Sequence, residues 1–84
     1  MSQPVLTDFP ALRDLVADVL AVPPAEVTPE TVLGTLGLDS LALVELVLAI
    51  ESTFGVTLTD EDIDPEHRVG DVLALIASRR GEGG

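Results

Sequence analysis

The stretch Leu36-Gly37-Leu38-Asp39-Ser40-Leu41-Ala42-Leu43-Val44-Glu45-Leu46-Val47-Leu48-Ala49-Ile50-Glu51, followed by Phe54-Gly55, decides how this chain folds. Leu43, Leu46, Val47, Ile50 and Phe54 recur at the i, i+3, i+4, i+7 spacing of a single helical face. This predicts a helix over about Ser40–Phe54, with Gly55 in the left-handed position that closes it. Asp39-Ser40 directly before the apolar run is what an ordinary helix cap looks like. The same position leaves the Ser40 hydroxyl exposed where the first backbone N–H groups lack partners and the helix dipole is positive. A phosphate ester on Ser40 would sit in a favourable field there. Leu41, Glu45 and Leu48 share a second face. With the core face already filled, Leu41, Val44 and Leu48 are surplus apolar residues, interleaved with Asp39, Glu45 and Glu51. Two readings fit that strip: an apolar docking surface ringed by acids, or a cover for the edge of the core beneath a loop.

Upstream, Phe9, Leu12, Val16, Val19 and Leu20 predict a helix over about Asp8–Val22. Thr7 or Asp8 would cap it, Pro10 would lie in its first turn, and Pro23-Pro24 would end it. The connection 23–38 holds Pro23, Pro24, Pro29, Gly34 and Gly37, which argue against a long helix. Its Val27, Val32, Leu33, Leu36 and Leu38 are too apolar for a solvated linker, so it should pack on the core, with a short helical turn at Pro29–Leu33. Downstream, Val56-Thr57-Leu58 reads as extended, and Thr59 caps a brief helical turn through Asp60–Ile63. Val69, Val72, Leu73 and Ile76 predict a last helix over about Val69–Arg80. Arg79 and Arg80 suit its negative end, Gly81 would cap it, and residues 81–84 would be a flexible tail. No segment carries the period-two pattern of a strand. The expected fold is all-α: a small four-helix bundle of three main helices and one short one, forming a single domain over 1–84 with its core in about 7–80.

An 84-residue chain has room for one domain and a simple core. Hydrophobic residues make up 46%, too many for a disordered chain, and aromatics only 2%, so Leu, Val, Ile and Ala must build the interior. Absence of cysteine excludes disulfides and thiolate metal sites. The apolar runs are too short to span a membrane, and the first residues lack the features of a signal peptide, so a cytoplasmic location is expected. Net charge is −11, from 15 acids against 4 arginines, and no Lys or Arg stands between Arg13 and Arg68. Such a surface repels nucleic acids and anionic membranes, speeds encounter with basic proteins, and favours a monomer. Its simplest alternative role is solubility alone.

On the segment Leu36–Glu51 with Phe54-Gly55, and above all on Gly37-x-Asp39-Ser40-Leu41 with Glu45 five residues after the serine, the chain resembles the acyl carrier protein family. Helix order and acidity extend the likeness over roughly residues 7–80. The resemblance implies a four-helix fold with Ser40 at the start of the second helix. It implies that Ser40 receives phosphopantetheine from coenzyme A, installed by a separate Mg-dependent phosphopantetheinyl transferase, and so becomes a phosphoprotein carrying acyl groups as thioesters. The chain itself would be no enzyme. Asp39, Leu41, Val44, Glu45, Leu48 and Glu51 would meet partners such as the transferase, an acyltransferase or acyl ligase, and a ketosynthase. An apolar cleft beside the second helix would shelter the acyl chain. Two departures stand out. Arg68 occupies a place where relatives often cap the last helix with Thr or Ser, and Ser52-Thr53 replace acids common in fatty-acid carriers.

Other candidate sites are weaker. Asp60, Asp62, Asp64 and Glu66 alternate like an EF-hand loop, but Pro65 stands where that loop needs Gly and Asp71 where it needs Glu. No metal site is expected. His67, the lone histidine, makes neither a triad nor a zinc site. A carrier of this kind would serve polyketide or fatty acid biosynthesis, and the absence of Lys, Asn and Tyr, which hints at a GC-rich bacterial genome, tilts the expectation toward polyketide or other secondary metabolism, including antibiotic biosynthesis. Two alternatives stay open: an aminoacyl or peptidyl carrier of a nonribosomal pathway, and an unmodified acidic helical adaptor.

Overall fold

A computed structural model describes the backbone of residues 4–83 and the side chains of residues 8–80. Three α-helices carry the fold: α1 (Pro4–Leu20), α2 (Ser40–Phe54) and α3 (Val69–Gly83). Single 3₁₀ turns at Pro24–Glu26, Leu33–Leu36 and Asp60–Asp62 punctuate the connections. The expected short fourth helix is thus the turn at Asp60–Asp62. Among the described residues there is no strand, only an isolated bridge between Val32 and Arg68. No described helix is long and apolar enough to cross a membrane.

The interior follows the predicted periodicity. α1 packs on both α2 and α3, with Leu12 and Val16 buried and Phe9, Val19 and Leu20 half-buried against them. α2 buries Leu46, Val47 and Ile50, with Leu43 and Phe54 at the margin, and α3 buries Val69, Val72, Leu73 and Ile76. Val27, Leu33 and Leu38 from the long connection are buried as well, as are Val56, Leu58 and Ile63 from the shorter one. Among the described residues no charged or polar side chain is buried in this core.

Helix boundaries differ from the local reading in three places. α1 begins at Pro4, so Pro10 lies inside the helix and neither Thr7 nor Asp8 caps it. Pro4 tolerates a first turn, where a missing N–H costs nothing. The Asp8 carboxylate pairs instead with Arg80 of α3, a partner 72 residues away. At its other end α1 stops at Leu20 rather than Val22. Val22 precedes Pro23, a position that disfavours helical backbone. Ala21 turns left-handed at φ 58°, and the Val22 N–H donates back to the Ala17 carbonyl. α3 runs through Gly81 to Gly83. Glycine permits a left-handed exit without imposing one, and no proline follows to stop the helix. Gly84 of the expected tail lies outside the described residues.

The long connection forms its helical turns at Pro24–Glu26 and Leu33–Leu36, not at Pro29–Leu33. Around Pro29-Glu30 the Thr31 hydroxyl accepts from the Thr28 N–H and donates to the Glu26 carbonyl, which holds an open turn. The backbone beyond pairs with the segment before α3. Leu33 and Gly34 donate to the carbonyls of His67 and Pro65, while Val69 and Gly70 donate to those of Thr31 and Pro29, at 2.7–2.9 Å. Approach is so close that a Cβ on Gly34 or Gly70 would stand 3.1 or 3.0 Å from the facing carbonyl oxygen. At the start of α3 the Arg68 N–H donates to Asp71 Oδ2 at 2.9 Å. Asp71 therefore serves the helix start that Arg68, with no short acceptor side chain, cannot cap from its own position.

Candidate functional site

The chain reaches Ser40 through a tight local device. Gly37 takes φ 92°, a left-handed conformation that costs a residue with a Cβ. It turns the chain so that Leu38 drops into the core at 8% exposure and Asp39 begins α2. Asp39 Oδ1 accepts the Ala42 N–H at 2.8 Å, and its carbonyl accepts the Leu43 N–H at 2.8 Å. Asp39, not Ser40, is therefore the cap. Ser40 is exposed as the first residue of α2, and its hydroxyl has no hydrogen-bond partner among the described residues. A phosphodiester fits there: Ser40 is exposed and the dipole end is positive.

Below Ser40 lies the apolar strip. Leu41, Val44 and Leu48 are 69%, 46% and 59% exposed and are the exposed large hydrophobics of the described chain. Glu45 is exposed beside them. Of the two readings of this strip, cover for the core is removed, since no segment among the described residues folds over these side chains. Glu51 behaves differently from the other acids. It is half-buried, and its Oε2 accepts the Leu58 N–H at 2.9 Å, tying α2 to the segment beyond it.

Between α2 and that segment runs an open groove of about 310 Å³, lined by Val44, Val47, Leu48, Glu51, Leu58, Thr59 and Asp60. The turn Asp60–Asp62 packs against α2 and brings the exposed Asp60 alongside Val44 and Leu48 of the strip. Sequence reasoning placed Asp60 in a brief helical turn without connecting it to Leu48. No local signal could have done so, because the contact closes only in three dimensions. Asp62 is engaged elsewhere. Its Oδ2 accepts the Thr59 N–H, and its Oδ1 takes Arg79 Nη2 at 3.0 Å. The Thr59 backbone hydrogen bond, and then the Arg79 guanidinium, hold its carboxyl below the usual value of 3.8. Arg79 also donates to the Thr57 carbonyl, so this arginine binds the connection as well as standing near the helix end.

Asp64 Oδ1 accepts the Glu66 N–H, and His67 Nδ1 accepts the Asp64 N–H. Of the alternating acids, Asp62 and Asp64 thus bond into local turns, and no three described His, Cys, Asp or Glu converge on a point that could hold a metal ion.

Comparison with known proteins agrees with this geometry. Residues 10–76 match the family model described as the phosphopantetheine attachment site. The chain is 39% identical over 72 residues to an acyl carrier protein of Solidesulfovibrio magneticus, covering 84% of this chain and 92% of that one. Its fold is similar to the solution NMR structure of a holo acyl carrier protein from Nitrosomonas europaea. That match has a TM-score of 0.70 at 27% identity and covers 89% of this chain and 96% of that chain. A helical bundle with an exposed serine opening its second helix defines a carrier rather than a catalyst. The chain belongs to the phosphopantetheine-binding acyl carrier protein family, whose members hold cargo on a covalent arm and meet a phosphopantetheinyl transferase and pathway enzymes.

Proposed function

We propose that Ser40 is the attachment point and that the chain presents acyl intermediates in polyketide or other secondary-metabolite biosynthesis. The observation that carries the site is the placement of Ser40: unpartnered and exposed, at the positive end of α2, directly above the exposed Leu41–Val44–Leu48 strip. When bound, phosphopantetheine supplies a terminal thiol on a long tether, which raises the effective concentration of the cargo at each partner's active site. The protein's own residues do the positioning. Asp39 fixes the helix start, and Leu38 anchors the turn before it. Asp39, Leu41, Val44, Glu45 and Leu48 form the face that partners dock on, with Glu51 at its lower edge offering charge rather than a free acceptor. Partners of stated chemistry are a transferase, an acyltransferase or acyl ligase, and a ketosynthase, each with a basic rim around an apolar contact.

Secondary metabolism is supported by composition, which lacks Lys, Asn and Tyr, and by exposed Ser52 and Thr53 at the lower end of α2. Incubation with coenzyme A, Mg and a broad-specificity phosphopantetheinyl transferase should add one phosphopantetheinyl group by intact mass, and none to Ser40→Ala. Equal behaviour of both proteins would remove Ser40 from the role. Loading of the holo protein by malonyl transfer in preference to long acyl chains would support the polyketide context, and the reverse preference would remove it.

A further inference from the structure

The two walls facing the core on either side of α2 are held by different chemistry. The segment 29–34 hangs on backbone bonds to 65–70. The segment 57–59 hangs on charged side chains, one per residue. The Thr57 carbonyl accepts from Arg79, the Leu58 N–H donates to Glu51, and the Thr59 N–H donates to Asp62, each at 2.9 Å. Arg79 and Asp62 fasten this segment to α3 and to its own turn. Among the described residues, Glu51 alone fastens it by hydrogen bond to α2, across the groove.

The groove is oriented relative to Ser40. At about 1.5 Å per residue, Val44 stands ~6 Å and Glu51 ~16 Å along α2 from the serine. Its apolar length, from Val44 to Glu51, is therefore roughly 10 Å. Val47 and Leu58 form its buried floor and Leu48 one rim, while the Glu51–Leu58 bond closes the far end. An extended chain advances about 1.2 Å per bond, so the groove matches roughly eight carbons.

We propose that Glu51 is a specificity-determining positioning residue, whose bond to the Leu58 N–H sets the length of the groove and so the length of acyl chain it accepts. The occupant is the acyl chain on the protein's own arm at Ser40, and the inference rests on the carrier reading. Chains up to about eight carbons lie above the closed bond. Longer ones must break a hydrogen bond to an ionised acceptor, which disfavours their entry by about tenfold or more.

The test loads octanoyl and dodecanoyl groups from the corresponding acyl-coenzyme A, with intact mass confirming the load. Failure to load overturns the carrier reading itself, before the groove is probed. On loaded wild type, Leu58 amide exchange measured by NMR should match the holo form with octanoyl and accelerate about tenfold with dodecanoyl. Thioester cleavage by hydroxylamine is the second readout. Glu51→Ala should slow cleavage of the dodecanoyl form several-fold and leave the octanoyl form unchanged, whereas Glu51→Gln, which keeps an acceptor, should behave as wild type. Leu58 exchange independent of chain length overturns the proposal, and because it is measured on wild type it does so even if Glu51→Ala is poorly folded. Equal effects of Glu51→Ala on both chain lengths also overturn it.

Discussion

At the scale of single residues, Asp39 and Ser40 divide two tasks that the sequence leaves merged in one dipeptide. Asp39 caps α2 through Ala42, which frees the Ser40 hydroxyl. Asp39→Ala should therefore lower stability by about 1 kcal/mol in urea unfolding, while Asp39→Asn, an equally good cap, should leave it nearly unchanged. If the charge of Asp39 also steers partners, Asp39→Asn should raise the transferase KM at unchanged stability. The leucines of α2 separate in the same way. Leu41→Ala removes a side chain 69% exposed and should shift stability by no more than about 0.5 kcal/mol. Leu46→Ala empties a fully buried site and should cost about 2–5 kcal/mol. A transferase KM raised by Leu41→Ala alone would assign the strip to docking. The helical period predicted this division between Leu46 and Leu41, because burial on a helix follows its repeat.

Among elements, the two connections contrast. The first is zipped by backbone to the segment before α3, where Gly70 N–H meets the Pro29 carbonyl at 2.8 Å. Gly70→Ala would place a Cβ 3.0 Å from that oxygen. The lost bond and the clash should outweigh the gain in helix propensity, for a net loss of about 1 kcal/mol and a melting temperature lower by ~4–8 °C. The second connection depends on Asp62, held below 3.8 by the Thr59 N–H and by Arg79. A folded-state value below the unfolded one contributes stability above the unfolded value and loses it as pH falls through the folded value. The urea midpoints of wild type and Asp62→Asn should therefore differ at about pH 6 and converge as pH falls below 3.8. A gap that stays constant with pH would deny Asp62 this role. Both connections were legible as apolar and core-facing, from Val27, Leu33, Leu38 and Leu58. Their hydrogen bonds were not, since the Arg79–Thr57 bond spans 22 residues and carries no periodic signal.

For the whole molecule, a net charge of −11 on 84 residues acts in two ways. Self-repulsion opposes the compact state, so added salt should raise the melting temperature as screening shortens the reach of the repulsion between surface charges. Association with a basic partner enzyme should slow over the same salt range, chiefly in the on-rate. Arg13, Arg79 and Arg80 are each paired to a carboxylate, and among the described residues no salt bridge reaches Asp39, Glu45 or Asp60. The exposed leucines of α2 sit within that field, so charge brings a partner in and apolar contact seats it.

By itself the sequence determined the helical class, the face each helix buries, and the Asp39-Ser40 dipeptide as the start of α2. These follow from short-range spacing and from the stereochemistry of glycine, proline and capping side chains, which neighbours in sequence already fix. Tertiary structure decided where α1 begins and where α3 ends. It also recruited Asp8 and Asp62 to arginines 72 and 17 residues away, tied Glu51 of α2 to Leu58, set Asp60 beside Leu48, and opened the groove between them. Those features depend on contacts whose free energy appears only once the helices have packed, and the periodicity of a single helix carries no sign of them.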